Sequence, residues 1–220
     1  IKIKIMSKVN YGGFFINEGH GLHPGSGPAS AHNTEYNIFQ EVLNRVNNKD
    51  NPVMVELGCH WALWSLCFKY RYNNGTNILV ELLDTYLKIG IDNFNLNGYD
   101  FKSYHGGIFA DDAHALSKME FTHVPNSKKL NLSEILNENK IKVIDILHMD
   151  IQGSELSCIK SLKENGLLKN NINQLVIATH SVEIHSEISN ILELNGFKIF
   201  TNVPHGGLGG DGLLTAKKDD

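Results

Sequence analysis

From Pro52 onward, apolar residues gather in short blocks separated by amphipathic stretches. The blocks "VMVEL", "NILVEL", "FKSYHG", "VIDILHMD", "QLVIATH" and "FKIFTNV" read as strands, and "DGLLTAKK" as a closing one. Apolar runs of about four to eight residues bounded by turn residues suit strands buried on both faces. Between most of them the apolar spacing is helical, in "TYLKIGIDNFNLNG", "LSEILNEN", "SELSCIKSLKE" and "VEIHSEISNILELNG". The first and last of these end at Gly98 and Gly196, where a helix C-cap favours glycine. Upstream, Ile38, Phe39, Val42, Leu43 and Val46 mark one face of a helix that Asn33 or Thr34 would cap. Strand alternating with helix predicts an α/β fold, a doubly wound and largely parallel sheet covered on both faces. The last two strands follow each other without a helix, so one is expected to run antiparallel at an edge.

The N-terminal stretch breaks this rhythm. "IKIKIM" alternates as an edge strand would, and "YGGFFINEGHGLHPGSGPASAHNTEY" then shows no period. A long connection rich in Gly, Pro, Ser and His suits a lid or binding loop. Residues 1–32 are therefore assigned to an extension with a lid-like loop, and 33–220 to a single domain. Gly19 to His32 is the candidate lid, and "VPHGGLGGDG" a candidate part of an acceptor mouth.

Composition narrows the function. With 220 residues, 41% hydrophobic, the chain builds one substantial core. A net charge of -4 without a Lys/Arg cluster argues against tracking nucleic-acid phosphates. No apolar run approaches a bilayer span, so no transmembrane segment is expected. Cys59, Cys67 and Cys158 are odd in number and sit in apolar segments. They suit reduced core residues of a cytoplasmic protein.

In an open α/β sheet, ligands bind outside the carboxyl ends of the strands. Those ends supply Glu56 and Gly58, Glu81, His105 to Gly107, His148 and Asp150, and Thr179 and His180. An acid at Glu81, ending the second strand, can accept hydrogen bonds from both hydroxyls of a ribose. The first turn, Glu56 to Ala62, keeps only Gly58, and Trp61 would obstruct a pyrophosphate. A cofactor without phosphates, such as S-adenosylmethionine, suits Glu56 and Gly58 better, with Trp61 as wall or core. Asp150, after a buried strand, can bind a metal, hold a hydroxyl or act as a base. His180 ends a neighbouring strand with the reach of a general base. Asp150 and His180, with His185 or Glu183, would also make a mixed oxygen–nitrogen site for Mg or Mn.

The segments "VELGCHWALWSLCF", "LVELLDTYLKIGIDNFNLNGYD", "IDILHMDIQGSELSCIKSL" and "LVIATHSVEIHSEISNILELNGF" together resemble the FkbM-type S-adenosylmethionine-dependent methyltransferases in order and spacing. The run "DIQGSE" and the "THS…IH" segment make the likeness specific, and it extends from Asn33 through "DGLLTAKK". Two features depart from the family pattern: the later glycines of the first turn are missing, and Glu81-Leu82-Leu83-Asp84 replaces an acidic-Pro-Asp turn.

The resemblance implies a Rossmann-like class I sheet of seven strands with the last antiparallel, and O-methylation that releases S-adenosylhomocysteine. It places Glu56 and Gly58 at the methionine end of the cofactor, Glu81 on the ribose, and Gly107, Ile108 and Phe109 near the adenine. His180 and Asp150 would be catalytic, with His148, Glu155 and His185 expected to contact the acceptor. The expected acceptor is a sugar hydroxyl of a glycan, with a small molecule or lipid as the alternative. The start at Ile1 and the size suggest one domain of a larger glycan-building polypeptide. Two rivals share the sheet: an NAD-dependent oxidoreductase, and an inactive binding module.

Overall fold

The computed structural model describes residues 8–11, 13–17, 31–108, 128–208 and 210–219. A hairpin comes first, β1 (Lys8–Tyr11) and β2 (Phe14–Asn17), followed by α1 (Ala31–Asn44). The alternating region then runs β3 (Val53–Leu57), α2 (Leu63–Arg71), β4 (Thr76–Glu81), α3 (Asp84–Leu96) and β5 (Lys102–His105). Two short strands, β6 (Gly107–Ile108) and β7 (Lys129–Leu130), pair with each other and lead to α4 (Leu132–Glu138). The chain finishes with β8 (Ile146–Met149), α5 (Glu155–Glu164), α6 (Leu167–Asn171), β9 (Gln174–Thr179), α7 (Val182–Leu194), β10 (Phe197–Leu208) and β11 (Asp211–Lys218).

Seven strands form one sheet in the order β10-β11-β9-β8-β3-β4-β5, the doubly wound sheet expected. All neighbours from β9 to β5 run parallel, while β11 is antiparallel to both β9 and β10. The closing strand is thus antiparallel, but it does not lie at the edge as expected. β10 takes the edge. Burial explains the order: Gly212 to Ala216 are buried, whereas β10 exposes Lys198 and Phe200 and would leave an inner slot poorly filled.

Side chains alternate between two cores. Val55, Leu57, Leu147 and Met149 pack with Ile159, Ile188 and Leu192 on the α4, α5 and α7 face. Met54, Leu79 and Ile146 pack with Phe39, Leu66, Phe68 and Phe94 of α1, α2 and α3 on the other. The N-terminal hairpin closes this second face with Phe14 and Ile16, both essentially fully buried. Burying side chains of that size contributes roughly 2 kcal/mol each. The Asn97 amide supplies the pairing that β2 lacks on its other edge. Its Oδ1 accepts from Phe15 N at 2.7 Å, and its Nδ2 donates to Phe15 O at 2.7 Å. β2 falls inside the stretch expected to be loop. The "IKIKIM" strand and nearly all of the candidate lid lie outside the described residues.

Helix ends follow their residues. α3 and α7 stop before Gly98 and Gly196, both left-handed as the C-cap reading requires. Ser181 caps α7 by accepting from Ile184 N at 3.1 Å. α1 begins at Ala31, so Asn33 and Thr34 lie within it rather than capping it. Among the described residues, no helix is long and apolar enough to cross a membrane.

Candidate active site

β3 ends in a turn that packs against β4 and the loop after β8. Gly58 has a φ of 76°, and a β-carbon there would overlap the Asp150 carbonyl oxygen. Only glycine tolerates both conditions. Gly58 N and Cys59 N donate to Val80 O at 2.9 and 3.1 Å, tying the turn to β4. His60 and Ala62 are also left-handed, with φ of 45° and 60°. The backbone therefore reverses at positions 58, 60 and 62, although only the first is glycine.

Glu81 closes the turn from β4. Its Oε2 accepts from His60 N and its Oε1 from Leu83 N, each at 3.0 Å. Each carboxylate oxygen has a second lone pair, so both can still accept from ligand hydroxyls. Glu56 lies one layer lower. It is almost fully buried and accepts from Ser65 N at 3.1 Å, pinning the first turn of α2. Burial pushes its pKa up to about 8, against the opposing hydrogen bond from Ser65, so the group is neutral at pH 7.

Between β3, β4, β6 and the loop after β8 lies a cavity of about 280 Å³. Gly58, Glu81, Gly107, Ile108 and Asp150 stand on its wall. Phe109 lies outside the described residues. Glu56 and Trp61 are not among the described lining residues. Instead the Trp61 indole Nε1 donates to His60 Nδ1 at 2.8 Å, and its carbonyl accepts from Asn93 Nδ2 at 3.0 Å. His60 itself is on the wall, stacked on Tyr86 with ring centroids 4.1 Å apart. Sequence reasoning passed over both. The signal for His60 was its place two residues after Gly58, where the missing second glycine would fall.

Asp150 joins this cavity to a second group of side chains. His180 Nε2 stands 3.4 Å from Asp150 Oδ1 and 3.8 Å from Asp211 Oδ1, and its Nδ1 stands 3.0 Å from Glu155 Oε1. Burial works against a charged imidazole, but Glu155, Asp150 and Asp211 together outweigh it and raise the His180 pKa. Burial pushes Asp150 up to about 6, opposed by His180. Glu155 is completely buried and shapes the loop carrying Asp150. Its carboxylate accepts from Ile151 N at 3.0 Å and from Gly153 N at 3.0 and 3.1 Å. One ligand atom each from Asp150, Glu155 and His180 lie within 4.8 Å of one another, a spacing that can hold a metal ion.

The other two histidines lie elsewhere. His148 is buried between Trp64 and Phe39, its Nδ1 3.8 Å from Glu56 Oε1, and burial lowers its pKa to about 3. His185 has one ring nitrogen 2.9 Å from Thr179 Oγ1 and the other 2.8 Å from Asn202 Oδ1, so it fastens α7 to the sheet. Neither these two nor Glu183 belongs to the metal-spaced group.

The model of the Methyltransferase FkbM domain matches residues 46–199. No curated protein matches the sequence. Among solved structures, the chain is similar to precorrin-6y C5,15-methyltransferase from Geobacter metallireducens GS-15. Identity there is 14% over 83% of this chain and 88% of that one, with a TM-score of 0.54. A human methyltransferase 10 domain containing protein gives 14% identity, coverage of 83% and 80%, and a TM-score of 0.54. The N-terminal domain of human METTL16 gives 12%, coverage of 86% and 69%, and 0.54. At such identities the likeness shows the fold, a class I Rossmann-like methyltransferase sheet.

Proposed function

The chain belongs to the FkbM methyltransferase family, and on that premise we propose that it transfers a methyl group from S-adenosylmethionine to a hydroxyl, most suitably of a sugar in a glycan. The observation that carries this reading is the position of Asp150. It is at once part of the cavity wall and a neighbour of His180, so a cofactor pocket and a proton acceptor meet at one side chain. The cavity suits a nucleoside without phosphates: Gly58 allows close approach, and Glu81 offers lone pairs for ribose hydroxyls.

When bound, S-adenosylmethionine supplies a methyl group already activated on a sulfonium. The chain's own residues do the rest. Gly58 lies at the methionine end, Glu81 holds the ribose, and Asp150 faces the acceptor. His180 Nε2 would take the acceptor's hydroxyl proton, with S-adenosylhomocysteine the product that leaves. Glu155 beside Nδ1 stabilises the imidazolium that results, as a carboxylate does behind a catalytic histidine. Asp150 on the wall and the half-exposed Asp211 beside His180 offer acceptors that suit a polyol, which is why a sugar is preferred over a lipid or small molecule.

The test is transfer of labelled methyl to a panel of saccharides by the wild type and by His180→Ala. The variant should lose roughly 10²–10⁴-fold in kcat while binding S-adenosylhomocysteine as the wild type does. Normal turnover by His180→Ala would remove the assignment. A second reading, favoured by the spacing of Asp150, Glu155 and His180, places Mg or Mn there to polarise the acceptor oxygen. In that case EDTA abolishes transfer and added Mg or Mn restores it.

A further inference from the structure

We propose that Asp211 binds the hydroxyl next to the one that is methylated, so that the acceptor is a vicinal diol rather than an isolated alcohol. This rests on the reading of His180 as the base that meets the acceptor, and it adds a specificity-determining residue to that site. Strand order brings Asp211 there. β11 runs antiparallel to β9 with Gly212 opposite Thr179, so Asp211 stands beside the end of β9, where the chain continues to His180. A β-carbon at Gly212 would overlap Thr179 Oγ1 and crowd His205 N, so glycine is what lets the strands approach this closely. Gly206 N donates to Gly210 O at 2.9 Å and fixes the turn just before Asp211. The backbone is thus held, while the Asp211 side chain is 54% exposed.

The surroundings of His180 give that carboxylate its use. To act as a base, His180 keeps its ring hydrogen on Nδ1, which faces Glu155 at 3.0 Å, and presents the lone pair of Nε2. Asp150 Oδ1 and Asp211 Oδ1 stand 3.4 and 3.8 Å from Nε2, beyond the roughly 2.7–3.2 Å of a hydrogen bond. Among the described residues no donor reaches this nitrogen, although it is buried. An ionised carboxylate only accepts, so neither acid can supply the donor. A hydroxyl can. Of the two acids, Asp150 already accepts the Gln152 amide on Oδ1 at 2.7 Å. Among the described residues nothing donates a hydrogen bond to the Asp211 carboxylate. One hydroxyl of the acceptor therefore donates to His180 Nε2 and a second to Asp211. With Nε2 and Asp211 Oδ1 only 3.8 Å apart, the two hydroxyls must themselves be close, as they are on adjacent carbons.

The test measures transfer of labelled methyl to the methyl glycosides of glucose, galactose and mannose and to their monodeoxy forms, with the methylated position read by NMR. In the wild type, removing the hydroxyl next to the methylated one should raise KM about tenfold or more, and removing a distant one should change it by about threefold at most. Asp211→Ala should raise the KM of the parent glycoside to that of the neighbouring deoxy form, while binding S-adenosylhomocysteine as the wild type does. Asp211→Asn keeps an acceptor oxygen and should recover part of the loss. An Asp211→Ala variant that still separates parent from deoxy form as the wild type does would overturn the proposal, as would one that weakens both alike. A wild type that binds S-adenosylhomocysteine but methylates none of the glycosides would overturn the sugar-hydroxyl reading itself.

Discussion

Gly58, His60 and Ala62 share one backbone conformation but not one reason for it. Gly58 must be glycine because Asp150 leaves no room for a β-carbon. His60 is held left-handed by contacts from its surroundings, and Ala62 by its place at the entry to α2, where its N–H donates to Cys59 O. A first turn short of glycines is thus still a turn of alternating left-handed residues. Lys140 provides the contrast. It has a φ of 56° just after α4, and its side chain is exposed. Left-handed backbone costs a residue with a β-carbon about 1–2 kcal/mol, partly offset by the extra freedom glycine loses on folding. Lys140→Gly should therefore raise stability in urea by about 0.5–1 kcal/mol and leave ligand binding unchanged. A loss of stability would show that the Lys140 side chain contributes more than its backbone costs.

At the level of elements, what could be read from the sequence was what repeats. Contiguous apolar runs marked most of the sheet strands, β5 with its exposed "KSYH" being the exception, and Gly98 and Gly196 marked helix ends, because burial and chain reversal act on neighbouring residues. Strand β2 could not be read, because four residues in a glycine-rich stretch carry no period and the pairing of their outer edge comes from Asn97, far along the chain. Nor could the inner place of β11, which depends on how β10 competes for the edge. The site divides the same way. Gly58, Glu81 and Asp150 follow from the rule of strand ends, and the structure places all three on the cavity wall. Glu56 and His148 sit one residue short of their strand ends, directly opposite each other in register, and point into the α1–α2 core. Which of the adjacent His60 and Trp61 meets the cavity depends on a left-handed φ that no apolar pattern encodes.

Across the whole molecule, that buried Glu56–His148 pair links stability to pH. His148, with its pKa lowered to about 3, takes up a proton on unfolding below the ordinary histidine pKa, so its contribution is lost as pH falls. Glu56, raised to about 8, keeps a proton that the unfolded chain releases above the ordinary carboxylate pKa. Its contribution is full below the unfolded pKa and is lost as pH rises toward 8. Above about pH 6.5, His148 is neutral in both states, and Glu56 makes stability fall by about 1.4 kcal/mol per pH unit. His180, also raised, acts in the same direction. Urea titrations at pH 6.5 and 8 should show this decline in the wild type and most of it removed in Glu56→Gln. An equal decline in both would locate the linkage elsewhere.

The same sheet serves nicotinamide and methyl-donor enzymes, so the choice of cofactor is the claim on which the functional reading turns. Calorimetric titration of the full chain with S-adenosylhomocysteine and, separately, with NAD tests it directly. One S-adenosylhomocysteine bound per chain, with no heat from NAD, is the expected result. Binding of NAD in place of S-adenosylhomocysteine, or of neither, would contradict the assignment of the cavity between Gly58 and Glu81.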